Sequence, residues 1–336
     1  MQTGDKVAVI SPSWGGPSIF PHIYELGLEA LTSLGLDVVE FPTARAEADY
    51  LYRNPEVRAA DVNNAFEDAE IKAIFAGIGG DDSVRILPFL DPKIIRNSPK
   101  VIMGYSDTAT LLTYCNQLGL VTFNGPSVMA GFSQWNAIPE FRQHIKEFMF
   151  ESHDEYVYPQ HDRYTEGHPD WRKQENAGKV NPWKDGEDWQ WLQGTSVVGG
   201  QLYGGCIEVL EFMKETEFWP SQEFWNGKIL FLETSEEKPG PEQVKWMMRN
   251  YGMQGVYDRI TGILVGRARD YSDAEKTQLY ANLVDVVSVE FGRSDLPIVA
   301  NMGFGHTDPQ FVLPLGVKAE IDCAKRTLKL LESPFR

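Results

Sequence analysis

Five short apolar runs in the first 125 residues, each divided from the next by a helical pattern, restrict this chain more than any other feature. The runs lie at 6–13, 36–41, 71–80, 101–103 and 120–125, and apolar residues recur at helical spacing across 24–34, 55–69, 83–90 and 108–118. Strands that alternate with helices build a doubly wound parallel sheet, and ligands of such sheets collect outside the carboxyl ends of the strands. Ser13, Gly79, Gly80, Ser106 and the residues from Asn124 to Ser127 all fall at those ends. One rim therefore gathers them.

The fourth strand turns into its helix within four residues, Gly104-Tyr105-Ser106-Asp107. A Gly-x-Ser-x pattern at this place resembles a nucleophile elbow, in which a sharp strand-to-helix turn lifts a serine hydroxyl clear of the sheet. The same turn aims the first helix amides at whatever sits beside the hydroxyl, so developing negative charge meets donors. Ser106 is the candidate nucleophile. The plainer alternative is that Gly104 makes the turn and Ser106 or Asp107 caps the helix.

The glycine-rich end of the third strand, Gly77-Ile78-Gly79-Gly80-Asp81-Asp82, superficially suggests a dinucleotide loop. The spacing fails, because aspartates stand where a pyrophosphate needs room and positive potential. The glycines instead let backbone amides approach a reacting centre. An amide at Gly80, or at neighbouring Asp81, pairs naturally with that of Asp107 as an oxyanion hole.

At 336 residues the chain exceeds the usual size of a single core, so two domains are expected. The boundaries read as an N-terminal α/β domain over 1–150, a loop or lid over 151–195 and a C-terminal α/β domain of more mixed strand direction over 196–336. A net charge of −17 argues against a duplex nucleic-acid binder. The three cysteines form no CxxC pair, which suits a reducing compartment. No apolar run is long enough to span a bilayer and no secretory pattern opens the chain, so a soluble cytoplasmic protein is expected. The 151–195 segment is polar and irregular yet holds Trp171, Trp183, Trp189 and Trp191, more aromatic than a disordered linker. Its tryptophans either stack on a flat substrate group or pin the loop down. Its histidines and aspartates show no recognised metal-ligand spacing, and no metal or organic cofactor is expected.

In the second half, the glycine-rich 196–206 run precedes a helix at 207–213, and strands are expected at 228–235, 260–265 and 297–302, with helices at 240–251 and 273–291. Two strand-like runs, 313–321 and 327–331, close the chain. Glu233 ends an otherwise apolar strand, where a carboxylate is costly to bury alone. His306 sits in the glycine-bracketed turn Gly303-Phe304-Gly305-His306 directly after another strand. Each has an ordinary reading, as a helix-end charge and a surface turn residue. With Ser106 they also supply a nucleophile, a base and an orienting acid, the set a serine needs near neutral pH.

Taken together, Gly104-Tyr-Ser-Asp107, Leu230-Phe-Leu-Glu-Thr-Ser235 and Gly303-Phe-Gly-His306, with Gly79-Gly80 and Gly199-Gly200, resemble the LD-carboxypeptidase family of serine peptidases over nearly the whole chain. The long central loop and Glu233-Thr-Ser-Glu-Glu237 look more like the microcin C immunity (MccF-like) branch than the murein tetrapeptide carboxypeptidases. The resemblance implies a triad of Ser106, Glu233 and His306, oxyanion donors near Gly80 and Asp107, a site between the two domains, and a homodimer. For that branch it also implies a loop tryptophan stacked on the adenine of an aminoacyl or peptidyl adenylate, carried over to Trp183, and a phosphate contact at Lys238. The expected reaction is hydrolysis of an amide in such an adenylate. Release of terminal D-alanine from murein tetrapeptide is the alternative, and a catalytically silent small-molecule binding protein is the alternative of another class.

Overall fold

The computed structural model describes residues 1–335 and turns the five apolar runs into one sheet. Strands β1 (Lys6–Ile10), β2 (Asp37–Glu40), β3 (Ile71–Ala76), β4 (Val101–Gly104) and β5 (Thr122–Asn124) are parallel, in the order β2-β1-β3-β4-β5. The interior of β1 and nearly all of β3 are buried, as strands covered by helices on both faces must be. Strand order reverses between β1 and β3. The loops that leave these two strands therefore diverge and open a crevice at the switch point, beside the end of β4.

The polar central segment is more regular than its composition suggests. It contributes β6 (Tyr156–Val157), β7 (Arg163–Glu166), β8 (Lys184–Asp185) and β9 (Gln190–Gln193). The glycine-rich run that follows is a ten-residue strand, β10 (Val197–Cys206), continued in parallel by β11 (Lys228–Glu233), β12 (Gly262–Gly266) and β13 (Ile298–Met302). After β14 (Thr307–Asp308) and β15 (Leu313–Leu315) come β16 (Lys318–Asp322) and β17 (Thr327–Leu330). The second sheet runs β6-β17-β16-β10-β11-β12-β13-β9, so two strands of the central segment cap its two edges. Strand β7 pairs with β8 and with β14, which holds the segment against the turn that carries His306.

The 313–321 run, read as one strand, is broken at Gly316, whose φ is +88°. Its first part, β15, pairs antiparallel with β5 and so joins the first sheet, while β16 pairs with β10 in the second. The helix from residue 273 runs as Asp273–Val284 and then widens to a π-helix over Asp285–Glu290.

Helix Pro139–Phe150 buries Phe141, His144, Ile145, Phe148 and Met149 along one stripe. His144 Nε2 accepts from the Val312 amide at 2.9 Å, so Nδ1 carries the proton and donates to Tyr156 Oη at 2.7 Å. Burial pushes this imidazole down to about 3. Between that value and the ordinary 6.5 the unfolded chain binds a proton that the folded chain refuses. His144 therefore costs nothing above about pH 6.5 and destabilises progressively as the pH falls toward 3. Thermal unfolding should show this. From pH 6.5 to 4.5 the wild type should lose roughly 2–3 kcal/mol more than His144→Gln, at 1.36 kcal/mol per pH unit; equal losses would refute it.

Candidate active site

Strand β4 ends in Gly104, and Ser106 follows with a φ of +57°. A side-chain-bearing residue held in the left-handed region is costly and marks a strained functional turn. The chain then enters helix Ala109–Gln117 through one tight turn, Ser106–Thr108.

The fully buried carboxylate of Asp107 fastens this elbow to the crevice. Its Oδ2 accepts from Ser13 Oγ at 2.5 Å, from the Ser83 amide at 2.7 Å and from the Asp82 amide at 3.0 Å. Burial raises its pKa, opposed by these donors. Three strand-end loops are thereby tied to one side chain. Asp82 in turn is gripped by the buried Arg58, whose two terminal nitrogens meet its carboxylate at 2.7 and 3.0 Å and whose Nη1 also reaches the carbonyls of Pro12 and Ser13. The aspartate that spoiled a phosphate loop is thus a structural anchor.

Above the elbow lie the two glycines. A Cβ on Gly79 would stand 3.2 Å from Ser106 Oγ and 3.4 Å from the Asp107 amide nitrogen, so this backbone passes directly over the serine. Gly80 has a φ of +156°, and a Cβ there would clash with Ser13 Oγ. Only glycine fits.

From the second sheet, β11 delivers Glu233 and the turn after β13 delivers His306. Glu233 Oε2 meets His306 Nδ1 at 2.6 Å. On the other edge of the ring, Nε2 meets Glu236 Oε2 at 3.0 Å. Burial alone would lower the histidine's pKa, but the charges and hydrogen bonds of Glu233 and Glu236 outweigh it and raise the group to about 10. Its hydrogen bond to His306 pulls Glu236 down to about 2. Asp308, nearby and buried, is raised to about 6 by desolvation.

Ser106, His306, Glu236, Gly79 and Gly80 share one cavity of about 340 Å³. Its outer wall holds Trp14, Phe20, Trp171, His168 and Arg269. Trp171 stacks on His168 with ring centres 5.0 Å apart and meets the edge of Phe20 at 5.7 Å. The two residues carried over for substrate contact lie elsewhere. Trp183 is covered by the Arg163 guanidinium, 4.1 Å from its ring centre, and Lys238 is paired with Glu275 at 3.0 Å; neither lines the cavity. Among the described residues, no group of three or more His, Cys, Asp or Glu side chains is placed to hold a metal ion, and no helix is long and apolar enough to cross a membrane.

Residues 7–125 match the LD-carboxypeptidase N-terminal domain and residues 199–321 the LD-carboxypeptidase C-terminal domain. A putative carboxypeptidase of Vibrio cholerae is 30% identical over 336 residues, covering 98% of this chain and 96% of that protein. The chain belongs to the LD-carboxypeptidase family. This makes it a serine-peptidase-type hydrolase rather than a silent binding protein. Other relatives in the family are the microcin C7 self-immunity protein MccF of Escherichia coli, 27% identical over 99% of this chain and 94% of that one, and a probable murein peptide carboxypeptidase of Bacillus subtilis, 28% identical over 97% and 92%. Among solved structures, an MccF-like protein from Streptococcus pneumoniae in complex with AMP superposes with a TM-score of 0.88 at 28% identity, covering 97% of this chain and 98% of that one. MccF in complex with aspartyl sulfamoyl adenosine superposes at 0.86 with 26% identity, over 100% and 98%.

Proposed function

We propose that this LD-carboxypeptidase-family enzyme hydrolyses an amide in a small aminoacyl or peptidyl nucleotide, with Ser106 as nucleophile, His306 as base and Glu233 as orienting acid. The observation that carries the reading is that a strained serine elbow and a carboxylate–imidazole pair from a different sheet open on one cavity walled by tryptophans. Ser106 attacks the carbonyl while His306 Nε2 takes its proton. The amides of Gly80 and Asp107 hold the oxyanion. His306 then protonates the departing amine, and water, deprotonated by the same imidazole, releases the acyl group. Glu233 keeps the Nδ1 proton in place and stabilises the imidazolium.

Trp14 and Trp171 take over the stacking role assigned to Trp183, since flat aromatic walls suit a nucleobase. The MccF structure with an aminoacyl nucleoside analogue supports the same substrate class. A homodimer, implied by the family resemblance, and a cytoplasmic location, expected from the cysteine usage and the sequence pattern, belong to this reading. Arg269 in the cavity wall favours a second one, in which it anchors the terminal carboxylate of a murein tetrapeptide. A substrate panel separates the two. Purified enzyme should cleave aminoacyl sulfamoyl adenosine with a kcat/KM at least about tenfold above that for murein tetrapeptide. Release of terminal D-alanine with the nucleoside analogue left intact would overturn the first reading.

A further inference from the structure

Nε2 of His306 faces the wrong partner for the reaction just described. It meets Glu236 at 3.0 Å, and among the described residues no hydrogen bond joins it to Ser106. With Glu233 at 2.6 Å on the other edge, the imidazole lies between two carboxylates. Such a site favours the cation, and an imidazolium cannot accept the serine proton. The free enzyme therefore holds its base in the unproductive state.

Glu236 differs from Glu233 in one respect that matters. Glu233 is sealed in the protein, whereas the Glu236 side chain is 52% exposed and lines the cavity beside Ser106. A substrate can reach it. The groups facing the ring are Tyr105 after β4, Asp308 on β14, Arg269 after β12 and His168 on the central segment. The one fixed cation among them, Arg269, is paired with Asp270 at 3.0 Å, and Glu236 keeps its bond to the imidazole beside it. A ligand that brings a cation of its own can draw Glu236 off.

We propose that Glu236 recognises an ammonium group on the acyl part of the substrate, next to the scissile carbonyl, and that it exchanges its imidazole partner for this ammonium, so that Nε2, no longer held by a second carboxylate, releases its proton to solvent and turns to Ser106 as a neutral base. The geometry fits an α-amino group, whose nitrogen lies about 2.5 Å from the carbonyl carbon by ordinary bond lengths and angles. As Ser106 attacks that carbon, with Nε2 in contact with the hydroxyl, the amino group enters the space that a carboxylate 3.0 Å from Nε2 commands. One binding event thus selects the acyl group and activates the base. Glu236 is a positioning and specificity residue, and the inference rests on the serine-hydrolase reading above.

The test compares an aminoacyl sulfamoyl adenosine bearing a free α-amine with its N-acetylated counterpart. Wild type should prefer the free amine by at least about 30-fold in kcat/KM, the scale of a lost charge-assisted contact. Glu236→Gln and Glu236→Ala should both bring the preference below about threefold. The free-amine rate should fall while turnover of the acetylated substrate rises, and the acid limb of the acetylated substrate's pH profile should move to lower pH. A role confined to holding the fold would lower both substrates alike. If Ser106→Ala is inactive and both Glu236 variants keep the full preference, this inference falls and the serine reading stands. If Ser106→Ala hydrolyses like wild type, both fall. Should the Glu236 variants not fold, a wild type that cleaves the two substrates equally well is enough to overturn the proposal.

Discussion

Ser106→Ala is expected to lower kcat by at least about 10⁴-fold while the protein keeps its fold, because loss of a triad nucleophile usually costs several orders of magnitude. The structural reason lies in where the hydroxyl sits. The strained turn at φ +57° holds Ser106 in the lining of the cavity, so removing one oxygen takes nothing from the core. Alanine must still occupy the left-handed region and gives no relief there, so the melting temperature should change by only a degree or two. His306→Ala should act on the same step, and the double variant should be hardly worse than either single one, as happens when residues work as one unit. Residual hydrolysis would come from binding and from the amides around Gly80 and Asp107. A loss of less than about tenfold would remove Ser106 from the mechanism.

How much of these features the sequence carries depends on the range over which the physics acts. The parallel sheet was legible because burial on both faces writes itself locally, as apolar runs such as Ile71–Ala76 closed by glycines. The elbow was legible for the same reason, since strand, turn and helix lie within a few residues of Ser106. Glu233 and His306 stood out as polar groups at the ends of apolar strands. Their meeting, across 73 residues, followed from the family pattern and not from periodicity. Arg58 was invisible because its place in helix Pro55–Glu67 looks like any polar helix position; its role comes from Asp82, which a different strand-end loop brings to it. In the sequence Glu236 is one member of a charged run, Glu236-Glu237-Lys238, with nothing to set it apart. The turn after β11 decides which of the three reaches the imidazole. Trp183 and Trp171 could not be ranked from composition, since contacts distant in the chain set their places: Trp171 packs on Phe20 and lines the cavity, while Trp183 lies under Arg163. Strand β15 crosses to the first sheet because Gly316 breaks a run that hydrophobicity presents as continuous.

The turn Gly303-Phe304-Gly305-His306 carries the second large effect, and its two glycines are unequal. Gly305 has a φ of +91°, and a Cβ there would lie 2.6 Å from Glu233 Oε2 and 2.7 Å from the Cβ and Cγ of the same side chain. Gly303 has no such conformational demand; its added Cβ would meet the Phe311 ring at 3.3 and 3.4 Å and the Pro309 carbonyl at 3.5 Å. Gly305→Ala must therefore displace the buried carboxylate oxygen that holds His306 Nδ1. Freed of that bond, the imidazole loses its tautomer and its orientation, a defect that costs about 10⁴ in kcat in a comparable triad. The expected result is a fall of roughly 10²–10⁴ in kcat, together with a stability loss of about 1–3 kcal/mol from the left-handed backbone. Gly303→Ala, which asks only for a slight shift of one ring, should stay within about fivefold of wild type. Measuring kcat and the melting temperature of both variants side by side tests the link from turn to triad. If Gly305→Ala keeps its rate, or if the two alanines are equally damaging, then Glu233 does not act by holding His306 in place.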